Sequence, residues 1–265
     1  MNFTELLAAA REHPEALSVP ATWAQGRAVF GGLMAALVHE AMRQKLVDDR
    51  PVRSLAITFV GPAAPDVPIS LEVEVLRAGK AVSTLLGRAV QDGQVVTLVQ
   101  GSFGAGRPSA VTVEAQPAMA LKPLEQAAPE LPYIKGVTPE FMRHVALRWA
   151  VGGLPFSGND ARHMGGWVRL RDVPEGPVEV AHLLALVDAW PPSLMPFLKQ
   201  PAAGSTLTWT IEFVQPVAQL STLDWCRYVV ETEHAREGYG HAAAALWTAQ
   251  GQLLALSRQT VTVFA

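Results

Sequence analysis

The chain has 265 residues, with 21 basic and 24 acidic side chains, a formal charge of −3, 17% charged residues and 49% apolar residues. That much apolar material offsets chain entropy and excludes intrinsic disorder, while the mildly acidic balance gives no basic footprint for nucleic acid. No run of about 18 apolar residues occurs, so no membrane-spanning helix is expected.

Residues 1–20 carry Glu5, Glu12 and Glu15 and lack the basic-then-apolar order of a secretory signal. Cys226 is the one cysteine, set in an apparent strand, and it makes no internal disulfide; a buried thiol in a reduced, cytoplasmic setting is the expectation. From Phe30 onward the apolar residues Phe30, Leu33, Met34, Leu37, Val38 and Ala41 recur at helical spacing. His39, Glu40, Arg43 and Gln44 occupy the other face, and Gly31, Gly32, Ala35 and Ala36 keep the helix thin enough for a sheet to approach. Ile69, Leu71, Val73 and Val75 alternate with Ser70, Glu72 and Glu74, the period of a strand. Strands at about 81–91 and 95–103 follow, joined at the hairpin pair Asp92-Gly93.

Residues 104–166 are rich in Pro and Gly and weakly periodic, with short helices predicted at 121–128 and 139–150. The segment is too long for a simple loop and is expected to pack along the outside of the units it joins. A second regular stretch begins at 167–171 and continues into a helix near 178–190, stopped by Pro191-Pro192. Strands at about 206–214, 223–231, 239–250 and 253–264 complete it.

The two regular stretches are copies of one unit. Ile57-Thr58-Phe59-Val60-Gly61-Pro62 returns as Ile211-Glu212-Phe213-Val214-Gln215-Pro216, an offset of 154 (211 − 57). Gln91-Asp92-Gly93-Gln94-Val95-Val96 returns as Ala249-Gln250-Gly251-Gln252-Leu253-Leu254, an offset of 158 (251 − 93) that a four-residue insertion reconciles with the first. One helix followed by antiparallel strands, twice over, predicts an α+β fold of two tandem units, each a curved antiparallel sheet around a central helix. The units are expected at 1–104 and 167–265, with 105–166 as the connector.

The copies differ in kind at three positions. Thr206 maps to Val52, Gln259 maps to Gly101, and Asp188 falls near Leu33 when the helices are superposed. Polar groups in the second copy thus stand where the first has apolar or absent side chains, which points to one working site built mainly from the second copy. Each position also has a structural reading. Asp188 follows an apolar helical run, so its carboxylate is either a desolvated base or a cap for the turn at Pro191. Gln259 shares its strand phase with Ala255, Ser257, Val261 and Val263, and an inward amide needs a partner of some kind. Thr206 is one of several threonines on its strand.

Other chemistries find no support. His39-Glu40-x-x-Arg43 lacks the second ligand of a zinc-protease helix, the histidines show no metal-ligand spacing, and neither a nucleophile elbow nor a P-loop occurs. No metal site is expected. Arg53, Arg77, Lys80 and Arg88 are cations that could meet phosphates or lie scattered on the surface.

Taken as a set, several motifs resemble the bacterial type II and peroxisomal acyl-CoA thioesterases, which are double hot-dog proteins. They are Val29-Phe30-Gly31-Gly32, Arg53-Ser54, Phe59-Val60-Gly61-Pro62, residues 74–80, Gln91-Asp92-Gly93 and Ser102-Phe103, with Asp188, Thr206, Phe213-Val214-Gln215-Pro216 and Gln259 in the second copy. The resemblance implies that Asp188, Thr206 and Gln259 hold and activate a water that attacks an acyl-CoA thioester. The backbone N–H groups of Gly31 and Gly32 are candidate oxyanion donors, or are simply there for close helix–sheet packing. No cofactor is implied, CoA being part of the substrate, and pairing into a homo-oligomer stays open. Leu33 stands where Gln often follows Phe-Gly-Gly, a departure that bears on substrate identity. The helix of hot-dog hydratases carries an Asp-x-Asn-Pro-like motif with a nearby His, which 188–193 lacks. An acyl-CoA-binding module without turnover is the remaining alternative.

Overall fold

The computed structural model describes residues 1–264. Ten strands form one antiparallel sheet: β3 (Val52–Phe59), β4 (Ser70–Ala78), β5 (Val82–Gln91), β6 (Gln94–Gly104), β7 (Val145–Val151), β8 (His163–Leu170), β9 (Ala203–Phe213), β10 (Cys226–Arg236), β11 (Tyr239–Thr248) and β12 (Leu253–Phe264). A two-stranded hairpin, β1 (Ala24–Gln25) and β2 (Ala28–Val29), precedes them. Three helices accompany the sheet: α1 (Phe3–Glu12), α2 (Gly31–Arg43) and α3 (Val180–Asp188).

The strand order is β4-β5-β6-β3-β9-β12-β11-β10-β8-β7. Reading outward from the centre, 3-6-5-4 on one side is matched by 9-12-11-10 on the other, so the sequence repeat is a structural repeat. Ala56 pairs with Thr210 across the central β3–β9 ladder, and these two residues are themselves repeat equivalents (210 − 56 = 154). The local twofold axis therefore passes between them. Leu55 pairs with Gly101 in the first copy and Trp209 with Gln259 in the second, which carries the equivalence onto β6 and β12. Even the irregularities repeat: one bulge falls between Val52 and Ser54, the other between Thr206 and Thr208. The expected pair of sheets is thus joined edge to edge by β3 and β9.

The Asp92-Gly93 turn has φ of 51° and 73°, the left-handed pair that a two-residue hairpin demands. Helix α2 is buried from Gly32 to Met42, on its charged face as well as its apolar one, because α1 and α3 close what the sheet leaves open. Gly32 is where α2 and α3 touch: a Cβ there would lie 3.0 Å from the Leu184 carbonyl oxygen and 3.0 Å from the Asp188 Cβ.

Several sequence-based expectations are corrected. The helix predicted at 139–150 is a single 3-10 turn, Glu140–Arg143, followed by β7, and that predicted at 121–128 is a 3-10 turn at Leu124–Gln126. The run in β7 is short, with Val145, Leu147, Trp149 and Val151 on one face and Ala146, Arg148 and Ala150 on the other, and so short an apolar-rich run reads alike as helix or strand. Helix α3 ends two residues earlier than expected, at Asp188. As the ninth and last residue of α3, Asp188 corresponds by count from the helix start to His39 of α2, not to Leu33. Helix α1 was not anticipated, although Asn2 and Glu5 form a reciprocal capping box at its start. No helix among the described residues is long and apolar enough to cross a membrane.

Candidate active site

Strands β3 and β9 are paired only from Ser54 to Thr58 and from Thr208 to Glu212. Beyond Thr58 and Thr208 they part, and a cavity of about 750 Å³ opens in the fork. Met34 and Phe59 line it from the first copy; Asp188, Trp190, Thr206 and Gln259 line it from the second. The three positions singled out by comparing the repeats therefore share one cavity.

The shortest contact among them joins α3 to β12: Gln259 Nε2 donates to Asp188 Oδ1 at 2.8 Å. Thr206 lines the same wall without a side-chain hydrogen bond to either residue. Asp188 is half-buried, and the exposure it keeps faces the cavity. Burial raises its pKa to about 7; the Gln259 amide bonded to the carboxylate, and the Gly32 backbone N–H beside it, pull the other way without overcoming it. Trp190 stacks on Tyr228 with ring centroids 5.2 Å apart and meets Trp149 at 4.7 Å, an aromatic shelf beneath the end of α3. Burial, and then the charge of Asp188, raise the Tyr228 pKa, so its phenol stays protonated.

The N-terminus of α2 faces this carboxylate. Phe30 caps it without a side-chain hydrogen bond, which leaves the first backbone N–H groups without helical partners. The Gly32 backbone lies against Asp188, and its N–H favours the ionised carboxylate. The Gly31 N–H remains, at the positive end of the helix. A Cβ at Gly31 would sit 2.8 Å from Asp188 Oδ2 and 2.9 Å from the Phe59 ring, so only glycine leaves room above the carboxylate.

The remaining sequence candidates lie elsewhere. Arg53 Nε donates to the Gly104 carbonyl at 2.7 Å and Arg88 pairs with Glu74 at 3.4 Å, while Arg77 and Lys80 sit near the end of β4; none of the four lines the cavity. Cys226 is buried, and burial together with Asp224 pushes its thiol up to about 12, so it is no nucleophile at neutral pH. Glu40 is buried where α2 meets α1, with Arg11 bonded to it at 2.9 Å, and His39 is buried with its ring stacked on Phe103 of β6. No group of three or more His, Cys, Asp or Glu side chains with metal-binding geometry occurs among the described residues. The sequence reading missed Arg27, which stands on the β1–β2 hairpin at the cavity mouth. Its signal was the Gly26-Arg27 pair between two short apolar stretches, too brief to be told from a loop.

The profile of the acyl-CoA thioesterase N-terminal domain matches residues 19–104, and that of the C-terminal domain matches residues 121–263. Acyl-CoA thioesterase 2 of Haemophilus influenzae is 25% identical over 256 residues, covering 88% of this chain and 86% of its own. A hot-dog protein of unknown function from Alicyclobacillus acidocaldarius superposes with a TM-score of 0.81 at 25% identity, covering 94% of this chain and 92% of that one. An acyl-CoA thioesterase II from Mycobacterium marinum superposes at 0.72 and 20% identity, over 94% and 92% of the two chains. With family profiles over both halves and the fold shared from end to end, this chain belongs to the acyl-CoA thioesterase family.

Proposed function

We propose that the fork between β3 and β9 hydrolyses acyl-CoA thioesters to free acid and CoA by direct attack of water. The observation that carries this reading is the Gln259–Asp188 pair, with Nε2 and Oδ1 2.8 Å apart in a cavity where burial brings the carboxylate to about 7. A carboxylate of ordinary pKa is a weak base at neutral pH. One held near 7 is about half ionised there and far better matched to taking a proton from water.

In the proposed step Asp188 takes a proton from a water that the Gln259 amide and the Thr206 hydroxyl help to hold. The oxygen of that water adds to the thioester carbonyl carbon, and the carbonyl electrons move onto its oxygen. The Gly31 N–H, at the start of α2, is the donor proposed for this oxyanion. Collapse expels the CoA thiolate, which takes up the proton, and no covalent enzyme intermediate is required. The acyl group lies against the apolar lining of Met34, Phe59 and Trp190. Only protein groups act in this scheme, with no metal or prosthetic group. A cytoplasmic setting, a place in lipid metabolism and homo-oligomer formation belong to the same reading; the lone buried thiol of Cys226 fits the first.

The test is thiol release from short, long, branched and aromatic acyl-CoAs by the wild type and Asp188→Asn. The expected result is turnover by the wild type and a fall in kcat of about 10²–10⁴-fold in a folded variant. Equal rates would remove Asp188 from the mechanism. Acyl-CoA binding without turnover of any substrate would make the protein a binding module.

A further inference from the structure

Among the described residues the cavity carries one cation. Of the charged side chains described in its lining, Asp188 is the carboxylate of the site and Arg27 is the basic one. Arg27 is exposed, and among the described residues it has neither an ion pair nor a side-chain hydrogen bond. That sets it apart from the bonded arginines: Arg11 is held by Glu40, Arg43 by Glu179 and Arg53 by the Gly104 carbonyl.

Its position is fixed by the backbone. Arg27 is the second residue of the two-residue turn between β1 and β2, in which Ala24 pairs with Val29 and Gln25 with Ala28. Gly26 takes φ of 64° at the first turn position, where a tight hairpin needs a residue free of left-handed strain. The base of the hairpin is tied down by the Phe30 N–H to the Trp23 carbonyl at 2.9 Å and by the Val29 N–H to the Ala63 carbonyl at 2.8 Å. The tip stands clear: nothing lies within 4 Å of a Cβ placed on Gly26. A guanidinium is thus presented over the mouth of a cavity whose other ionisable group repels anions.

We infer that Arg27 is the contact for a phosphate of the CoA moiety, and so sets affinity for the carrier rather than the rate of the chemical step. This rests on the acyl-CoA reading above. A thioester carbonyl beside Asp188 leaves the anionic carrier trailing out of the cavity, where a planar, permanently charged fork suits phosphate oxygens. A carboxylate at the far end of the acyl group is the other anion that could reach a guanidinium, and it shares the same chemistry.

The experiment compares the wild type with Arg27→Gln in CoA binding by calorimetry and in hydrolysis of matched acyl-CoA and acyl-pantetheine thioesters, the latter lacking every phosphate. Arg27→Gln is expected to weaken CoA binding and raise KM for acyl-CoA about tenfold at low ionic strength, with kcat unchanged. The gap should narrow as salt is added, and acyl-pantetheine should be handled alike by both proteins. Dephospho-CoA then separates the two supporting cases. A gap that persists assigns the contact to the pyrophosphate, and a gap that vanishes assigns it to the ribose phosphate. Unchanged CoA binding in Arg27→Gln overturns the inference, as does an equal loss on acyl-pantetheine. A loss confined to acyl groups ending in a carboxylate overturns it in favour of that carboxylate. A wild type that binds CoA but hydrolyses nothing would remove the hydrolase reading and leave the Arg27 assignment to be decided by the binding arm alone.

Discussion

The repeat gives this protein two forks, related by the axis between Ala56 and Thr210: one holds the cavity, and the other is bridged by a side chain. In the open fork stand Thr206, Gln259 and Asp188. At the related positions of the closed fork stand Val52, Gly101 and, by count along the helix, His39. The closure has a visible cause. Gln215 Nε2 crosses the closed fork and donates to the Val52 carbonyl at 3.2 Å. The residue related to Gln215 is Gly61 (215 − 154), which has no side chain to send across to Thr206. A Cβ on Gly61 would meet nothing within 4 Å. Gly101 completes the contrast: a Cβ there would lie 2.7 Å from the Met42 terminal methyl, so packing has filled the space that Gln259 uses in the other copy.

The helices differ in the same sense. Glu40 on α2 is fully buried. Burial alone would raise its pKa, but the neighbouring His39 ring, Arg11 and Arg43 outweigh that and hold it well below the usual range. Asp188 on α3 has an amide and a backbone N–H but no cation, and burial prevails. One carboxylate is held ionised as a strut, and the other is kept near neutrality and able to exchange a proton.

The largest expected effect breaks this contrast in stability. The raised pKa of Asp188 means the folded state pays to ionise it, a cost absent at low pH and growing as pH rises from about 4 to about 7. Asp188→Asn is therefore predicted to be more stable than the wild type at pH 8, by up to about 4 kcal/mol if the whole shift is expressed, and to lose that advantage towards pH 4. Glu40→Gln should behave oppositely. Its lowered pKa stabilises the fold above the ordinary carboxylate value and loses that contribution as pH falls from about 4.5 to about 2, so the variant should be less stable at neutral pH and the difference should shrink only in that acid range. Urea unfolding from pH 2.5 to 8 reads both, Asp188 between about 4 and 7 and Glu40 between about 4.5 and 2, and parallel curves would show that the two sites do not differ as described.

A smaller effect is expected from Gln259→Ala. Losing the amide should lower kcat by about 10–100-fold, the range for a positioned hydrogen bond to a charged group. Because the amide favours the ionised carboxylate, its loss should also move the acid limb of the pH–rate profile upward; a downward move would contradict the hydrogen bond's assigned sense. Smallest is Gly61→Gln, which copies the closing residue into the open fork. It is predicted to reduce kcat/KM about tenfold with little change in stability, and unaltered kinetics would show that Gln215 is not what distinguishes the forks.

How much of this was legible in the sequence differs by element. The repeat and the mapping of Gln259 to Gly101 and Thr206 to Val52 could be read from two hexamers, because strand pairing preserves offsets and the ladder register follows them. The partner of Asp188 could not. The α3-to-β9 connection is longer than its counterpart, so the strand offset does not carry back onto the helix. β7 is hard to read because its alternation is short and two alanines flank the single polar residue, Arg148, on its weaker face, while the local signal for α1 is the Asn2–Glu5 capping box alone. The Gln215–Val52 contact spans 163 residues and depends on how two strands diverge, which no local pattern encodes. Gly31 and Gly32 were legible as a close approach, but not that Asp188 is what approaches them.

Asp188, acting as a base with a pKa near 7, is the centre of the proposed chemistry. The pH dependence of kcat/KM for thioester hydrolysis between pH 5 and 8.5 tests it most directly. The predicted profile falls about tenfold per unit below an inflection near pH 7 and levels off above it, as Asp188 gains and loses its proton. A flat profile down to pH 5 would contradict the account, since a base with an ordinary carboxylate pKa, or none at all, would then carry the reaction.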